Sequence, residues 1–281
     1  MLVVTIWWIV SFAVLFAAPI SWPARFALLI PLIYIGMFVQ FLLVVRYPLR
    51  PAVARFDGSD DEVGAGELSF LGRTTLRLRE SGFRPIAELV FQPPARGPVR
   101  QRTLGAILDD EAGRSRAWVS ATQITAPRRR TAVEMVSVSS RYADGSIRMT
   151  INAPPSRVDP GDSARRVCVY LPDVVDASMV ARVHGALLAG DARGTANELT
   201  PVNDPVELGA KMYVELFEAL AADGYLSREA SAGEYRLTLR GALRLVGRAM
   251  PPFSTLRDRR ARREAATLLA SLGVAGTPPR T

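Results

Sequence analysis

Two long apolar runs near the N-terminus constrain the fold of this chain more than any other feature. The first run covers residues 2–20 and the second covers residues 26–45, and neither contains a charged side chain. A helix needs roughly 20 apolar residues to cross the hydrocarbon core of a bilayer, which is about 30 Å thick. Residues 21–25, which separate the runs, are enough only for a tight turn. The pattern predicts a transmembrane helical hairpin in residues 1–46.

A cleavable signal peptide and the buried hairpin of a soluble protein are the competing interpretations of these runs. The first run lacks a basic segment in front of it, and a second apolar run follows at once, which disfavours a signal peptide. Two consecutive runs of this length without an acidic residue disfavour a soluble core. We therefore expect two spans.

Aromatic and basic side chains occupy the positions where lipid headgroups would lie, and we predict that they form the membrane interface of the anchor. These residues are Trp7, Trp8, Trp22, Arg25, Arg46, Tyr47 and Arg50. Arginines are concentrated after the second run, whereas the turn between the runs carries only one. The excess of positive charge on one side predicts that both termini and the body lie on the cytoplasmic side of the inner membrane.

The side-chain inventory of the whole chain excludes several classes of site. The chain has 281 residues and a net charge of +8, with one cysteine (Cys168) and one histidine (His184). A single cysteine excludes an intrachain disulfide and a cysteine zinc cluster. A single histidine excludes sites that need two imidazoles. We predict no cofactor, no metal and no catalytic residue, with His184 in a structural or surface role and Cys168 inside a strand.

Residues 47–66 are rich in proline, glycine and acidic side chains and are predicted to be a linker. Residues 67–200 are predicted to form a mainly antiparallel sheet domain with flanking helices. A short helix is expected at 74–81, and strands are expected at 85–92, 103–108, 116–124, 133–142, 146–151 and 167–171. Asp144-Gly145 is a strong hairpin signal between two of these strands. Asp176 is a predicted N-cap of a helix that continues to Ala189.

Residues 201–281 are predicted to be a helical C-terminal region. A helix at 207–222 precedes a hairpin that turns near Ala232-Gly233, and a further helix is capped by Thr238. This order is also used by winged-helix modules, so a nucleic-acid contact and a structural tail are the alternatives. The final helix, at 254–272, has a basic half that is predicted to contact a partner or anionic headgroups, and a solvated basic face is the alternative. Its arginines are Arg257, Arg259, Arg260, Arg262 and Arg263.

Four segments carry a resemblance to an uncharacterised family of membrane-anchored bacterial proteins. They are ESGFRPIAEL (residues 80–89), SRYADGSIRMTIN (140–152), YLPDVVDASMVARVHGALL (170–188) and DGYLSREASAGEYRLTLRGALRLVGRAMPP (223–252). The resemblance implies two N-terminal transmembrane helices and a cytoplasmic α+β domain. It implies no catalytic residues.

The leading functional hypothesis is a non-enzymatic, membrane-anchored accessory or scaffold subunit of a larger membrane complex. Its expected partners are membrane lipids and other integral membrane subunits, and respiratory, photosynthetic reaction-centre and light-harvesting complexes are candidate hosts. One alternative is a membrane-tethered regulator with a nucleic-acid-binding tail, although nucleic acid is the less favoured partner. Another is an enzyme whose site carries no recognisable motif.

Overall fold

The computed structural model describes residues 10, 12–13, 15–58, 63–92, 100–126, 129–157 and 163–273. These residues form an α+β protein, as the sequence predicts, and their strands lie in two sheets. The chain divides into two compact units. The first unit comprises Met1–Leu49 and Leu220–Leu256, and the second comprises Arg50–Ala219 and Arg257–Thr281. The sequence predicts four consecutive segments, at residues 1–46, 47–66, 67–200 and 201–281. This division stays a prediction.

The first unit is built around one long apolar helix, α1 (Trp22–Val44). Pro23 suits the first turn of a helix because its missing N–H would have no partner there. Among the described residues, α1 is the one helix long and apolar enough to cross a membrane, and only 6% of its most apolar stretch is buried. Most of the predicted first span, residues 2–20, lies outside the described residues, so the predicted two-span hairpin stays a prediction.

A three-stranded antiparallel sheet completes the first unit together with helix α5 (Leu239–Ala249). Its strands lie in the order β1 (Arg46–Pro48), β10 (Glu234–Leu237) and β9 (Leu226–Glu229). The turn between β9 and β10 contains Gly233 in the left-handed conformation (φ 67°), which favours glycine. Thr238 then caps α5, since its hydroxyl accepts a hydrogen bond from the Gly241 amide at 3.0 Å. Both the turn and the cap agree with the sequence prediction.

The second unit contains a mixed sheet of seven strands in sequential order. The strands are β2 (Ala52–Arg55), β3 (Phe83–Gln92), β4 (Arg100–Asp110), β5 (Arg116–Ala126), β6 (Arg129–Arg141), β7 (Ile147–Ile151) and β8 (Arg166–Tyr170). All neighbours pair antiparallel except β7 and β8, which are parallel. The predicted hairpin at Asp144-Gly145 joins β6 and β7, and Gly145 takes a positive φ of 76°. Strand β2 lies in the segment predicted as a linker.

The core of the second unit lies between one face of the sheet and helices α2 (Ala65–Glu80) and α3 (Ala177–Ala189). Alternate strand residues such as Val136 and Val138 point into this core because side chains on a strand alternate between its faces. On the other face, α4 (Pro205–Ala222) packs closely at Gly209, where an added Cβ would lie 2.7 Å from a methyl group of Leu89.

The last helix, α6 (Phe253–Ser271), joins the same core through its C-terminal part. Ala261 and Ala265 are buried, and Leu268, Leu269 and Leu272 pack against the core cluster. The part of α6 in the second unit is therefore a packed helix with one exposed basic side. The observed bounds agree closely with the predicted helix at 254–272.

Candidate functional site

Helix α3 holds the only histidine of the chain against the sheet. The Asp176 side chain accepts a hydrogen bond from the Ser178 amide at 3.0 Å, which satisfies a free N–H at the helix start. His184 follows Val180 by four residues, so both lie on the same side of α3. This side faces the core, and His184 is only 1% exposed.

Hydroxyl groups from two neighbouring strands contact the imidazole ring, and a third hydroxyl contacts one of them. The His184 Nε2 atom lies 3.0 Å from Ser140 Oγ on β6, and Nδ1 lies 3.0 Å from Thr150 Oγ1 on β7. The Ser140 hydroxyl also lies 2.9 Å from that of Ser115, which immediately precedes β5. All four side chains are buried. We call this set the histidine network.

Both strand positions follow from the pleat of the sheet. Ser140 is two residues after Val138, and Thr150 lies directly opposite Val138 in the β6–β7 pairing. Residues in these relations share a face, so the two hydroxyls point towards α3 with the valine. The alternation of side chains that places valines in the apolar core therefore also places two hydroxyl groups next to one imidazole.

The network keeps His184 uncharged. Burial and, to a smaller extent, the positive charge of Arg148 lower the pKa of His184 to about 4. A neutral ring has one N–H donor and one acceptor nitrogen, and a hydroxyl can serve as either partner. The ring therefore has a partner on each nitrogen without needing a charge.

The Ser140–His184 contact resembles one half of a nucleophile–base pair but differs from a catalytic triad. In a triad the second ring nitrogen donates to a carboxylate that orients the imidazole. Here Thr150 occupies that nitrogen, and the Ser140 hydroxyl is enclosed in the core. The arrangement fixes side chains in place, in agreement with the predicted structural role of His184.

A charged cluster lies beyond the end of α3, and we call it the Asp191 cluster. The Asp191 carboxylate accepts hydrogen bonds from Arg193 Nε at 3.0 Å and Nη2 at 2.7 Å, and from the Tyr142 hydroxyl at 2.6 Å. Arg148 Nε lies 2.7 Å from the same carboxylate. The Arg193 guanidinium also stacks over the Tyr142 ring, 4.1 Å from its centroid.

These contacts shift two ionisation equilibria. The hydrogen bonds from Arg193 and then Tyr142 hold the pKa of the Asp191 carboxyl well below its usual range. Burial raises the pKa of the Tyr142 phenol, and the neighbouring carboxylate raises it further. The cluster therefore keeps an ionised Asp191 and a neutral Tyr142, and it ties the chain after α3 to the β6–β7 hairpin.

Sequence reasoning placed Tyr142 on a strand next to a turn but did not predict its partner. Tyr142 and Asp191 are 49 residues apart in the chain. The run Asp191-Ala-Arg193 offers only a weak local signal, an acidic residue two positions before an arginine. The Asp191 cluster forms only when the fold brings these distant residues together, so no local sequence pattern predicts it.

The predicted membrane-interface residues Arg25 and Arg46 lie near opposite ends of α1. Arg25 donates to the Ala18 carbonyl at 3.1 Å and lies 5.1 Å from the exposed Trp22 ring. Arg46 donates to the Leu42 and Val45 carbonyls at 3.1 and 2.9 Å. At 1.5 Å per residue the two arginines are about 30 Å apart along the helix.

The other predicted interface residues are placed as follows. Tyr47 pairs with Tyr235 in the small sheet, and Arg50 is exposed. Trp7 and Trp8 lie outside the described residues.

Acidic side chains of the second unit pair with predicted basic contact residues on α6. Arg262 pairs with Asp173 at 2.5 Å, and Arg260 pairs with Glu264 at 2.7 Å. Arg257, Arg259 and Arg263 are exposed. The structure thus leaves a basic surface on α6 with part of its charge compensated.

Cys168 occupies a half-buried position on β8, opposite Met149, as expected for a residue inside a strand. Within the described ranges, no group of three or more His, Cys, Asp or Glu side chains is arranged to hold a metal ion.

Comparison with known proteins gives no relative. No family model matches the chain, and no match was found among curated proteins or solved structures. The resemblance to a membrane-anchored bacterial family therefore stays a prediction.

Proposed function

We propose that this protein is a membrane-anchored, non-enzymatic accessory or scaffold subunit of a larger membrane complex. The observation that carries the proposal is the bare surface of α1. Only 6% of its most apolar stretch is buried in protein, whereas the core helix of a soluble protein would be mostly covered. Such a surface is stable against lipid tails or against other apolar helices.

Residues at the two ends of α1 support a spanning orientation. Arg25 and Arg46 are separated by about the thickness of a hydrocarbon core, and long basic side chains place their charges at the interface. Arg46, Arg50 and Arg55 follow the helix, which favours the cytoplasmic side for this end. The run at residues 2–20 would supply the second span of the proposed hairpin.

The side chains of the body support a binding role. The histidine is enclosed, uncharged and bonded to hydroxyls on both nitrogens, and the ionised Asp191 is bonded to two arginines and a tyrosine. These groups are engaged in holding the sheet together. The exposed surface that remains, including the basic side of α6, is suited to contacts with neighbouring subunits or headgroups.

Native-membrane purification tests the proposal. Full-length protein is extracted in a mild detergent, and its co-purifying proteins are quantified by mass spectrometry. We expect stoichiometric integral membrane partners, and the protein should remain in the membrane pellet after alkaline carbonate washing. Recovery as a monomer without a stoichiometric partner would contradict the scaffold role, and release by carbonate would contradict the anchor.

Vesicle sidedness tests the orientation. A Cys168→Ser chain carrying Glu111→Cys, at an exposed position of the second unit, is treated with an impermeant thiol reagent. We expect labelling in inside-out vesicles and protection in right-side-out vesicles. The reverse pattern would place the body outside the cytoplasm.

The nucleic-acid alternative uses the β9–β10 hairpin followed by α5. Its arginines are engaged within the first unit: Arg240 and Arg244 stack on Tyr225, and Arg248 is buried. Helix α5 packs along α1, which leaves less of its surface for a DNA groove, so this arrangement favours the scaffold role. Salt-dependent binding of duplex DNA to the full chain would reverse that preference.

A further inference from the structure

Helix α5 exposes large apolar side chains on part of its surface while burying another part. Ala242 and Val246 are buried. Leu239 and Leu243 are each 63% exposed, and their spacing of four residues places them on the same side. These two exposed leucines form an apolar strip on one side of the helix, and such a surface is a candidate contact site.

This strip lies beside the candidate membrane helix. In the small sheet, Arg46 of β1 pairs with Arg236 of β10, and Arg46 follows the C-terminal end of α1. Because α5 comes directly after β10, α5 begins near that end of α1. At the other end of α5, the Phe253 and Tyr34 rings pack edge to face with their centroids 6.2 Å apart. Tyr34 lies about 15 Å along α1 from Val44. Helix α5 therefore runs along the C-terminal half of α1, against which it packs.

The exposed apolar surface continues past α5. Phe253 and Leu256, at the start of α6, are 54% and 58% exposed. On α1 itself, Leu43 and Val44 are also exposed at the end where α5 begins. Exposed apolar side chains therefore occur on α5, at the start of α6 and at the end of α1 where α5 begins.

Arginines lie beside the leucine strip on α5, about 100° further round the helix. Arg240 and Arg244 lie 4.7 and 4.0 Å from the centroid of the Tyr225 ring, which holds both guanidinium groups on one side. Both arginines lie in the part of α5 that begins near the C-terminal end of α1, where the proposed anchor would reach the headgroups. Arginine stems can cover apolar surface while their charges reach anionic headgroups.

We propose that residues 239–256 form a second membrane-contacting element, in which Leu239, Leu243, Phe253 and Leu256 contact acyl chains beside α1. Arg240 and Arg244 face anionic headgroups. The inference rests on the proposed anchoring by α1 and adds a lipid contact that is more than 190 residues later in the sequence. The occupant of the strip is the bilayer, since α5 packs along the proposed anchor helix α1 and the neighbouring arginines match anionic lipid.

Depth-sensitive labelling of the full chain tests this element. Single cysteines are introduced into a Cys168→Ser background at position 239 or 243, with Leu28→Cys on α1 and Ala232→Cys in the β9–β10 turn as references. All four positions are exposed, so an environment-sensitive fluorophore does not displace core side chains. The proteins are reconstituted in vesicles of phosphatidylcholine and phosphatidylglycerol, and aqueous iodide quenching is measured.

We expect iodide quenching at 239 and 243 to be at least about threefold weaker than at 232, with blue-shifted emission, as for an apolar side inserted below the headgroups. Protection at 28 with full quenching at 239 and 243 would overturn this inference and leave the anchor intact. Full quenching at 28 would overturn both the anchor and the inference. Protection at 243 that disappears when the protein is diluted in lipid would assign the strip to a second copy of the chain.

Discussion

The Nε2 atom of His184 and the hydroxyl oxygen of Ser140 lie 3.0 Å apart in the interior of the second unit. Thr150 holds the other ring nitrogen, so helix α3 is linked to β6 and β7 through one uncharged imidazole. Burial and the nearby Arg148 charge lower the pKa of His184 from 6.5 to about 4. This difference between the folded and unfolded chain makes stability depend on pH.

We expect the free energy of unfolding to fall as the pH decreases from about 6.5 to about 4. In this window the unfolded chain binds a proton at His184 and the folded chain does not, so acid favours unfolding. Above the window neither state is protonated, and below it both are. One unit of pKa shift corresponds to about 1.4 kcal/mol, so the free energy of unfolding should fall by about 3 kcal/mol. Chemical denaturation in detergent, repeated across this window, measures the loss.

The matched control for this prediction is His184→Gln, which keeps a polar side chain facing Ser140 and Thr150 but does not titrate. Carboxyl groups contribute equally to both proteins, so the difference between the two pH profiles isolates the histidine. Parallel profiles between pH 6.5 and 4 would contradict a neutral, buried His184.

Replacing Tyr142 by Phe removes the hydroxyl that donates to Asp191 at 2.6 Å. Because a hydrogen bond to an ionised group is stronger than a neutral one, we expect a loss of about 1.5–3 kcal/mol in the free energy of unfolding. Thermal denaturation of the full chain measures it. In an Asp191→Asn background the same substitution should cost less, since the pair is coupled.

Tyr34→Phe is the control for removal of a tyrosine hydroxyl. The Tyr34 hydroxyl oxygen is buried and has no hydrogen-bond partner within the part of the chain that is described. Its removal is therefore expected to leave stability unchanged or slightly higher. Equal losses for Tyr34→Phe and Tyr142→Phe would show that the Asp191 contact contributes nothing specific.

Local sequence signals predicted the elements whose causes are local. Asp144-Gly145 indicated the β6–β7 hairpin because a positive φ suits glycine, and Gly145 has one. Asp176 and Thr238 indicated helix starts because each side chain accepts a hydrogen bond from an amide two or three residues later, as observed. The alternation around Val136 and Val138 indicated a two-faced strand, and these valines are buried.

The features that depend on distant contacts were not predicted. Strand β2 (Ala52–Arg55) is a mostly exposed edge strand with no apolar alternation, and it forms because β3 provides a partner. Strand β1 pairs with β10, for example Arg46 with Arg236, about two thirds of the chain length apart, and no local pattern indicates this pairing. Helix α2 begins at Ala65, well before the predicted start at 74, because Phe70 and Leu71 pack into the core. The direct contacts of the histidine network likewise join residues up to 44 positions apart.

Thr238→Ala removes the cap of α5. The Thr238 hydroxyl accepts from the Gly241 amide and also donates to the Gly224 carbonyl at 2.7 Å, so it connects α5 to the end of α4 within the first unit. Loss of an N-cap typically costs about 0.5–2 kcal/mol, and we expect a loss in that range. Faster amide hydrogen exchange in residues 239–249 should accompany it.

Thr267→Ala provides the comparison for Thr238→Ala. Thr267 is exposed inside α6, where its hydroxyl bonds the Arg263 carbonyl of the preceding turn. Alanine is the better helix former at such a position, so stability should hold or rise slightly. An unchanged exchange rate in α5 after Thr238→Ala would mean that the cap does not control the helix.

Gly105→Ala tests the close contact between β4 and the Trp118 indole on β5. An added Cβ at residue 105 would lie 2.1–2.8 Å from three carbon atoms of that ring, so the indole must move. Trp118 also packs edge to face on Phe91, with centroids 5.3 Å apart, which opposes this movement. We expect destabilisation of about 1–3 kcal/mol, as for an overpacked core.

Gly185→Ala, on α3 with nothing within 4 Å of its added Cβ, should instead be neutral or stabilising by up to about 1 kcal/mol. Urea denaturation of both variants gives the comparison, and a Gly105→Ala protein as stable as Gly185→Ala would show that the ring moves freely.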